Sequence, residues 1–254
     1  MAFATVVLEL DRWHAAGRTA DFWWRDDDAV AAGPALDRLS ALARRAGVPL
    51  ALAVIPANLD DSLGAGEGQY VLQHGYAHAN HAGPDEKKCE LAANRPADAV
   101  LDELCRGRAI LERRFGARFL NVLVPPWNRI AAPLAARLGE AGYTGLSTWK
   151  ARPAAVPLSG LVQVNCHADP VNWRGGRGYL GDQAFALQIA DHLAARREGR
   201  ADPGEPTGIL SHHLAMDEAT WGGLERLLEL LAGHPAARAR DAASLFGPDP
   251  SDAT

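Results

Sequence analysis

Seven short apolar segments alternate with longer amphipathic segments along this chain, and the alternation limits the folds open to it. The apolar segments are typical of strands buried on both faces, and the amphipathic ones of helices with one apolar side. Strands are predicted at 22–25, 50–55, 70–73, 119–124, 145–148, 161–166 and 207–211, and helices at 34–46, 97–115, 133–141, 183–197 and 218–231. Because such strands pair in parallel through helical crossovers, an α/β fold is predicted. An open doubly wound sheet and a closed or nearly closed barrel are the alternatives.

The composition is that of one globular domain. The chain has 254 residues, of which 48% are hydrophobic and 22% charged, and a single domain over 1–254 is predicted. A net charge of −5 and no Lys/Arg-rich run argue against a nucleic-acid partner. The first apolar run is cut short by Glu9, so neither a signal peptide nor a membrane partner is expected. Three irregularly spaced cysteines form no disulfide framework or zinc pair, and a cytoplasmic location is predicted.

Polar residues follow five of the predicted strands directly. They are Asp26, Asp27 and Asp28 after the first strand, His74 after the third, residues 125–129 after the fourth, His167 and Asp169 after the sixth, and His212 and His213 after the seventh. Loops at the carboxyl ends of parallel strands share one face, where active sites are built. Residues far apart in sequence are therefore expected to meet there.

The run Asp26–Asp28 and the pair His74 and His78 together predict a metal site. Neighbouring carboxylates repel one another, and a cation or a shared proton would relieve the cost. Each imidazole can offer a neutral nitrogen to the same cation. The alternative is a solvated loop or helix cap, but the run directly follows the bulky apolar pair Trp23 and Trp24. The metal site is therefore the favoured interpretation.

The remaining histidines and tryptophans are given lesser roles. His212 is predicted to be catalytic because it follows an apolar strand, and its neighbour His213 ranks below it. His81 is expected to be a loop residue. Solvent-facing positions are predicted for His14, His192 and His234. Three aromatic rings at one barrel mouth would suit a sugar or another ring-bearing ligand, and Trp127, Trp149 and Trp173 follow strands.

Four short segments, spread over residues 25–212, occur in a set order. Their sequences are Arg-Asp-Asp-Asp at 25–28, His-Gly-Tyr-Ala-His at 74–78, Val-Pro-Pro-Trp at 124–127 and Leu-Ser-His at 210–212. In this order they resemble four motifs of the polysaccharide deacetylase family, carbohydrate esterase family 4. Those motifs read roughly Thr-Phe-Asp-Asp, His-Ser/Thr-x-x-His, Arg-Pro-Pro-Tyr and Leu-x-His.

The resemblance implies a fold, a cofactor and a set of roles. The family's fold is a distorted (β/α)7 barrel, and its divalent metal is usually zinc, although Co²⁺, Ni²⁺ or Fe²⁺ suit the same ligands. By the resemblance, Asp28, His74 and His78 bind the metal, Asp27 is the general base and His212 is the general acid. The backbone N–H of Trp127 contributes to an oxyanion hole, within a substrate-binding segment formed by Pro126, Trp127, Asn128 and Arg129.

The alignment of the first motif leaves two registers open. Asp27 and Asp28 can fill the places of the base and the metal ligand, or Asp26 and Asp27 can fill them. The first register is preferred because Asp28 precedes the small residue Ala29, much as the family's second Asp precedes Gly. In this register Asp26 caps or orients the end of the strand.

Two family features are altered in this chain. The arginine that orients the base in the family is replaced by Val124, and Arg129 and Arg25 are the candidates to take its place. The family's Asp-Trp motif has a loose counterpart in residues 167–173, which contain His167, Asp169 and Trp173. These departures indicate a divergent member.

The predicted function is metal-dependent hydrolysis of an N-acyl group, in which metal-activated water is the nucleophile. The expected substrate is a small or oligomeric N-acylated carbohydrate, and the products are acetate and a free amine. One alternative is an amidohydrolase that cleaves a C–N bond of a small non-sugar substrate, as in the allantoinase-like relatives. The other is a non-catalytic carbohydrate-binding barrel, which the missing arginine slightly favours.

Overall fold

The computed structural model describes residues 2–158 and 160–247. Within these residues the strands are β1 (Ala20–Ala29), β2 (Leu50–Val54), β3 (Gln69–His74), β4 (Phe119–Val124), β5 (Gly145–Leu146), β6 (Val162–Gln163), β7 (Thr207–Ser211) and β8 (Ala237–Ala239). All pairings are parallel, and the order is β6-β5-β4-β3-β2-β1-β7, with β8 added to the start of β1. Strands β1 to β6 thus lie in sequence order, as expected when each crossover turns the same way.

Most helices lie on the outer face of this sheet, and the last one packs against the barrel interior through Phe246. The helices are α1 (Ala4–Ala15), α2 (Pro34–Ala46), α3 (Ala97–Phe115), α4 (Ala132–Ala135), α5 (Asp182–Arg197), α6 (Glu218–Gly233) and α7 (Ala242–Phe246). Helix α1 precedes the first strand and packs on α5, and beside this contact the rings of Phe3 and Phe185 meet edge to face at 5.9 Å. Within the part of the chain that the structure describes, no helix combines the length and apolarity needed to span a bilayer.

Residues 164–168 connect the two edges of the sheet. On one side the N–H of Cys166 donates to the carbonyl of Thr148 at 3.0 Å. On the other side Ala168 forms a parallel bridge with Ile209 of β7. The sheet therefore curls into a distorted (β/α)7 barrel. The predicted α/β barrel is confirmed, and the doubly wound alternative is excluded because its strand order would reverse in the middle of the sheet.

The core has an inner and an outer layer because successive strand residues face opposite sides of the sheet. The barrel interior is filled by buried side chains that include Trp23, Ala51, Ala53, Val122, Val164 and Leu210. The outer layer, between strands and helices, includes Trp24, Leu52, Val54 and Ile209. Phe246 of α7 packs edge-on against Trp23, with ring centroids 5.8 Å apart. Strand β1 is thus buried on both faces, as its apolar start predicts.

Most predicted element boundaries agree closely with the structure. The strand predicted at 22–25 is longer, since β1 extends over Ala20–Ala29, so Asp26, Asp27 and Asp28 lie inside the strand and not after it. The strands at 119–124 and 207–211 and the helices at 34–46 and 97–115 have the predicted ends. The strands predicted at 145–148 and 161–166 are shorter, because beyond two regular pairs they continue only as isolated bridges. The helix predicted at 133–141 is a short helix α4 followed by a 3₁₀ turn at Leu138–Ala141.

Candidate metal centre and active site

Three side chains of metal-ligand type meet at the carboxyl ends of β1 and β3. Oδ1 of Asp28 lies 3.2 Å from Nε2 of His74 and 3.3 Å from Nε2 of His78. These three atoms all lie within 4.8 Å of one another. Oδ1 of Asp28 is buried, and within the described residues it accepts no hydrogen bond. One carboxylate oxygen and two imidazole nitrogens are the donor set of a three-ligand catalytic metal site.

The hydrogen bonding of His74 leaves its inward nitrogen without a proton. Nδ1 of His74 lies 3.0 Å from the carbonyl oxygen of Val124, and since a carbonyl only accepts, Nδ1 carries the hydrogen. Neutral His74 therefore presents a lone pair at Nε2 to the carboxylate oxygen of Asp28. A divalent cation between them would replace repulsion by ligation, so the donor set fits a metal.

The carboxylates around His74 favour a positive charge at this position, whether it is carried by a proton or by a metal ion. Although burial opposes the change, Asp27 raises the pKa of His74, and the contact with Asp28 adds to the rise. Burial opposes ionisation of Asp28 as well, but the neighbouring His74 lowers the pKa of this carboxyl well below its ordinary value. Burial, followed by His74, lowers the pKa of His78. The centre thus carries a strongly acidic carboxyl, which suits a cation.

A backbone irregularity brings two successive carboxylates to one face of β1. Residues of a regular strand alternate between faces, so Asp27 and Asp28 would normally point apart. The pairing of β1 with β2 shifts in register between Asp26 and Ala29. Within this shift Asp28 adopts a left-handed conformation with φ of 73°. The irregularity returns Asp28 to the barrel mouth, where it meets His74 and His78.

Arg25 holds Asp27 from the same strand. Nε of Arg25 donates to Oδ1 of Asp27 at 2.8 Å, and one terminal nitrogen donates to Oδ2 at 3.0 Å. The guanidinium also donates to the hydroxyl of Ser147 at 2.6 Å and to Oδ1 of Asn128 at 2.7 Å. Both Arg25 and Asp27 are buried. Of the two candidate arginines, Arg25 therefore contacts the predicted base, whereas Arg129 donates to the carbonyl of Lys88.

Asp26 faces the opposite side of β1 and binds β7. Its carboxylate accepts from the hydroxyl of Ser211 at 2.6 Å and from the N–H of His213 at 3.0 Å. The ring of His213 bonds to the same carboxylate, and, against the effect of burial, Asp26 raises the pKa of His213. Asp26 and His213 thus form a buried pair between strands. The geometry favours the register in which Asp27 and Asp28, rather than Asp26, serve the site.

The segment after β4 forms one wall of the site with a strained backbone. Trp127 and Asn128 have φ of 55° and 56°, values that non-glycine residues rarely adopt. The ring of Trp127 lies 4.4 Å from that of His78, and Pro126 lies against Gly75 of the His78 loop. Strain of this kind persists at functional sites because the surrounding contacts hold it. The segment predicted to bind substrate is therefore beside the candidate metal ligands.

Asp169 and Trp173 support His212 on the facing wall. Nδ1 of His212 lies 3.6 Å from Oδ2 of Asp169, and the ring of Trp173 meets the His212 ring edge-on at 4.7 Å. Asp169 accepts from the indole N–H of Trp173 at 2.8 Å and from the N–H of Val171 at 2.8 Å. Burial raises the pKa of Asp169, although His212 opposes the rise. The loose Asp-Trp segment noted in the sequence thus lies beside the predicted acid.

Comparison with known proteins gives matches at the level of three-dimensional structure. No protein-family model and no curated protein matches the sequence. The Bc1960 peptidoglycan N-acetylglucosamine deacetylase aligns with a TM-score of 0.56 at 17% identity, over 91% of this chain and 90% of that one. The carbohydrate esterase family 4 enzyme of Streptococcus mutans gives 0.56 at 16% identity, over 94% and 90%. The family 4 carbohydrate esterase of Streptomyces lividans, in complex with acetate, gives 0.51 at 16% identity, over 87% and 98%.

The chain has the fold of the carbohydrate esterase family 4 deacetylases. The alignments extend over about nine-tenths of this chain and of each structure, so the likeness covers the whole barrel. At these identities it is a likeness of fold. The roles of individual residues in this deacetylase-type barrel therefore rest on the geometry of the site itself.

One buried carboxylate beside the candidate metal ligands has no sequence signal of its own. Glu90 is 1% exposed, and its two oxygens accept from the backbone N–H groups of Tyr76, Ala77 and His78. Burial raises the pKa of Glu90, and the N–H group of Ala77 is the largest opposing influence. The only indication in the sequence is indirect, since Gly75 stands where the family motif has Ser or Thr.

A second buried cluster in the deacetylase-type barrel consists of His167, His192 and Glu205. The two imidazole rings stack at 3.4 Å, and their Nε2 atoms lie 3.5 and 3.8 Å from Oε2 of Glu205. The N–H of Gly208 donates to Nδ1 of His167 at 3.0 Å. In a neutral imidazole the other nitrogen then carries the proton, so Nε2 of His167 has no lone pair for a metal. The cluster is interpreted as structural.

The structure differs from the sequence-based expectations for His192, His167 and Trp149. The prediction that His192 faces solvent is wrong, because it is 7% exposed and its Nδ1 lies 3.0 Å from the Thr207 hydroxyl. His167, a lesser site candidate, turns toward Glu205 and away from the metal ligands. Trp149 packs against the barrel interior, whereas Trp127 contacts the ring of His78 and Trp173 contacts that of His212.

Acid is expected to destabilise the fold through His167. Burial lowers the pKa of His167 to about 4 from an ordinary 6.5. Between these pH values the imidazole is protonated in the unfolded chain but neutral in the folded one. The free energy of unfolding therefore decreases as the pH falls, by on the order of 3 kcal/mol. Although burial opposes it, His167 lowers the pKa of Glu205 to about 2, so the stability from this carboxylate is lost as pH falls below 4.5.

Urea unfolding at pH 7 and pH 4.5 measures this loss. The variant His167→Gln removes the titrating ring and is expected to lose less stability between the two pH values than the wild type. His14→Gln, at an exposed position, is the matched control and is expected to behave as the wild type. Equal losses in all three proteins would contradict the assignment to His167.

Proposed function

We propose that this protein is a metal-dependent hydrolase that removes N-acetyl groups from carbohydrates. The observation that carries the proposal is the triad of Asp28, His74 and His78 directly beside the Arg25–Asp27 pair. A ligand set of one carboxylate and two imidazoles keeps a coordination position open for reaction, and an oriented carboxylate beside it suits a general base. A divalent metal bound there, with zinc as the first candidate, would acidify water and polarise an acyl carbonyl.

The chain's own residues then supply the proton transfers. Asp27, held by the guanidinium of Arg25, accepts the proton of the attacking water. His212, supported by Asp169, donates a proton to the amine that leaves. The backbone N–H of Trp127 stabilises the oxyanion, and a donor of this kind is typically worth roughly 3–4 kcal/mol. Acetate and a free amino sugar are the products.

The substrate class is supported by the aromatic side chains at the site and by the similar structures. Trp127 lies on the metal side, and Trp173, which is 44% exposed, lies on the His212 side. Exposed indole rings stack on the apolar faces of sugars. Among the similar structures are a T48 deacetylase with substrate and a peptidoglycan N-acetylglucosamine deacetylase. An N-acetylated carbohydrate, small or oligomeric, is therefore the proposed substrate.

Elemental analysis of the purified protein followed by acetate release tests the proposal. We expect about one divalent metal per chain, acetate released from oligomers of N-acetylglucosamine, and loss of activity with a chelator that added Zn²⁺ or Co²⁺ restores. A protein that holds no divalent metal and gains none on titration would refute the mechanism. The same assay with allantoin and soluble acyl-amides identifies the amidohydrolase alternative by turnover of those compounds alone.

The non-catalytic alternative has lost the observation that favoured it. It rested on the missing arginine of the third motif, whereas Arg25 forms a bidentate pair with Asp27. A binding module has little use for a buried arginine that orients a carboxylate beside a metal site. Binding of N-acetylglucosamine oligomers without acetate release, in metal-loaded protein, would nevertheless support this alternative.

A further inference from the structure

Glu90 binds three successive backbone N–H groups of the loop that carries His78. Its Oε1 accepts from Tyr76 at 3.1 Å and from Ala77 at 2.8 Å, and its Oε2 accepts from His78 at 3.2 Å. Bonds from N–H groups to a charged carboxylate are stronger than neutral ones, and successive N–H groups form a concave anion site. The carboxylate therefore fixes the path of the chain between the two histidines.

Gly75 provides the room that Glu90 occupies. A Cβ at position 75 would lie 2.1 Å from Oε2 of Glu90 and 2.6 Å from Cγ of Pro126. The φ of Gly75 is +55°, a conformation in which a side chain is strained. The Ser or Thr of the resembling motif cannot stand here with Glu90 in place. Gly75 and Glu90 thus form one arrangement, which differs from the motif that the segment resembles.

The segment that carries Glu90 is itself bound to the segment after β4. Leu91, next in sequence, is buried and forms a parallel bridge with Ile130, and its carbonyl accepts from Ala131 at 2.9 Å. On the other side of Glu90, the N–H of Cys89 donates to the side chain of Asn80 at 2.9 Å. Glu90 therefore joins the His78 loop to the segment after β4.

We propose that Glu90 is a positioning residue that sets the backbone of His78 before the metal arrives. His78 has φ of 55°, and its ring packs 4.4 Å from Trp127, so the ligand depends on a backbone conformation that needs support. The inference rests on the proposed metal site and adds to it a residue outside the four motifs. Glu90 acts through His78, since its oxygens are occupied by backbone N–H groups rather than by the centre.

The test compares Glu90→Gln with the matched control Glu86→Gln. A glutamine has no negative charge, and its NH₂ group cannot accept hydrogen bonds from the backbone N–H groups. The loop that carries His78 is therefore expected to be less rigidly held. Glu86 lies in the same loop, is exposed and accepts from the N–H of Gly83 at 2.9 Å. Co²⁺ affinity is measured by competition with a chelator, together with the visible spectrum of bound Co²⁺, in each full-length protein. Glu90→Gln is expected to bind Co²⁺ about 10- to 100-fold more weakly with an altered spectrum.

The outcomes separate this inference from the proposed function. Glu86→Gln should match the wild type in affinity and spectrum, and saturating metal should restore much of the kcat of Glu90→Gln with KM unchanged. Equal Co²⁺ affinity and an identical spectrum in Glu90→Gln would overturn the positioning role. A wild-type protein that binds no Co²⁺ would instead overturn the proposed metal site.

Hydrogen exchange of the metal-free wild type keeps the inference testable if Glu90→Gln does not fold. The amides of Tyr76, Ala77 and His78 are expected to exchange slowly without metal, because Glu90 already binds them. Fast exchange at all three amides in folded, metal-free protein would show that Glu90 does not set this loop in advance.

Discussion

His74→Ala is expected to abolish tight metal binding and, with it, turnover. The proton of His74 lies on Nδ1, which donates to the carbonyl of Val124. The unprotonated Nε2 lies 3.2 Å from Oδ1 of Asp28. Without it only one carboxylate and His78 remain, too few ligands for a stable three-ligand site. We expect metal affinity to fall by more than about 100-fold, beyond the loss typical of residues outside the ligand set. Zn²⁺ titration by calorimetry measures the loss.

His81→Ala is the matched control for this change. His81 lies three residues beyond His78 in the same loop and is exposed. Its removal changes the histidine content of the loop by the same amount, and we expect metal binding equal to that of the wild type. Wild-type affinity in His74→Ala, or loss of the metal in His81→Ala, would contradict the assigned ligand set.

Asp27→Asn is expected to retain the metal and to lose kcat by about 10²- to 10⁴-fold, the contribution typical of a general base. The amide keeps the shape of the side chain but cannot accept a proton from water. It also leaves the buried Arg25 with a neutral partner, and this loss of a buried ion pair costs stability, by about 3 kcal/mol. Steady-state kinetics at a temperature where the variant is folded, with metal content measured in the same sample, check the prediction.

Asp26→Asn distinguishes the two registers of the Asp26–Asp28 run. Asp26 is also buried, but it binds Ser211 and His213 of the β7 segment. Its replacement is expected to lower the free energy of unfolding. The kcat of Asp26→Asn is expected to remain at least tenfold higher than that of Asp27→Asn. A larger loss of kcat in Asp26→Asn, with the metal retained, would assign the base to Asp26 instead.

The fold was largely predictable from the sequence because buried parallel strands leave a strong pattern. The unbroken apolar run at 50–55 and the mainly apolar segments at 119–124 and 207–211, separated by amphipathic helices, define parallel crossovers with little ambiguity. The short strands β5 and β6 were overextended because their apolar residues continue into the barrel wall without regular pairing. An apolar run indicates that a segment is buried, whereas a regular strand also requires hydrogen bonding with a neighbouring strand in register.

The candidate site was predictable where residues follow strands, and less so where the backbone departs from a regular strand. The convergence of His74, His78 and Asp28 follows from their places at strand ends. The register of the aspartates was left open because it depends on a positive φ at Asp28, which no local pattern specifies. The contact between Arg25 and Asp27 had an available signal, since residues two apart on a strand share a face.

Two features could not be predicted because they depend on long-range contacts. Glu90 lies in a loop without regular structure, and its return to the His78 backbone is decided by the anchoring of Leu91 beside β4. The burial of His192 follows from its stacking on His167, which belongs to a different part of the barrel. Helical periodicity alone did not distinguish this buried position from an exposed one.

The pairing of Arg25 with Asp27 places a carboxylate and the arginine that orients it on one strand of the barrel wall. An arginine at the end of β4, where the resembling motif has one, would make the orientation of this carboxylate depend on a second strand. Here both partners belong to one strand of the barrel wall, and Val124 stands where that arginine would be. The orientation of Asp27 is therefore encoded within one strand. A design that grafts residues 25–27 of β1 onto another barrel would carry the carboxylate and its arginine together, and the contacts of Arg25 with Ser147 and Asn128 are those it must also reproduce.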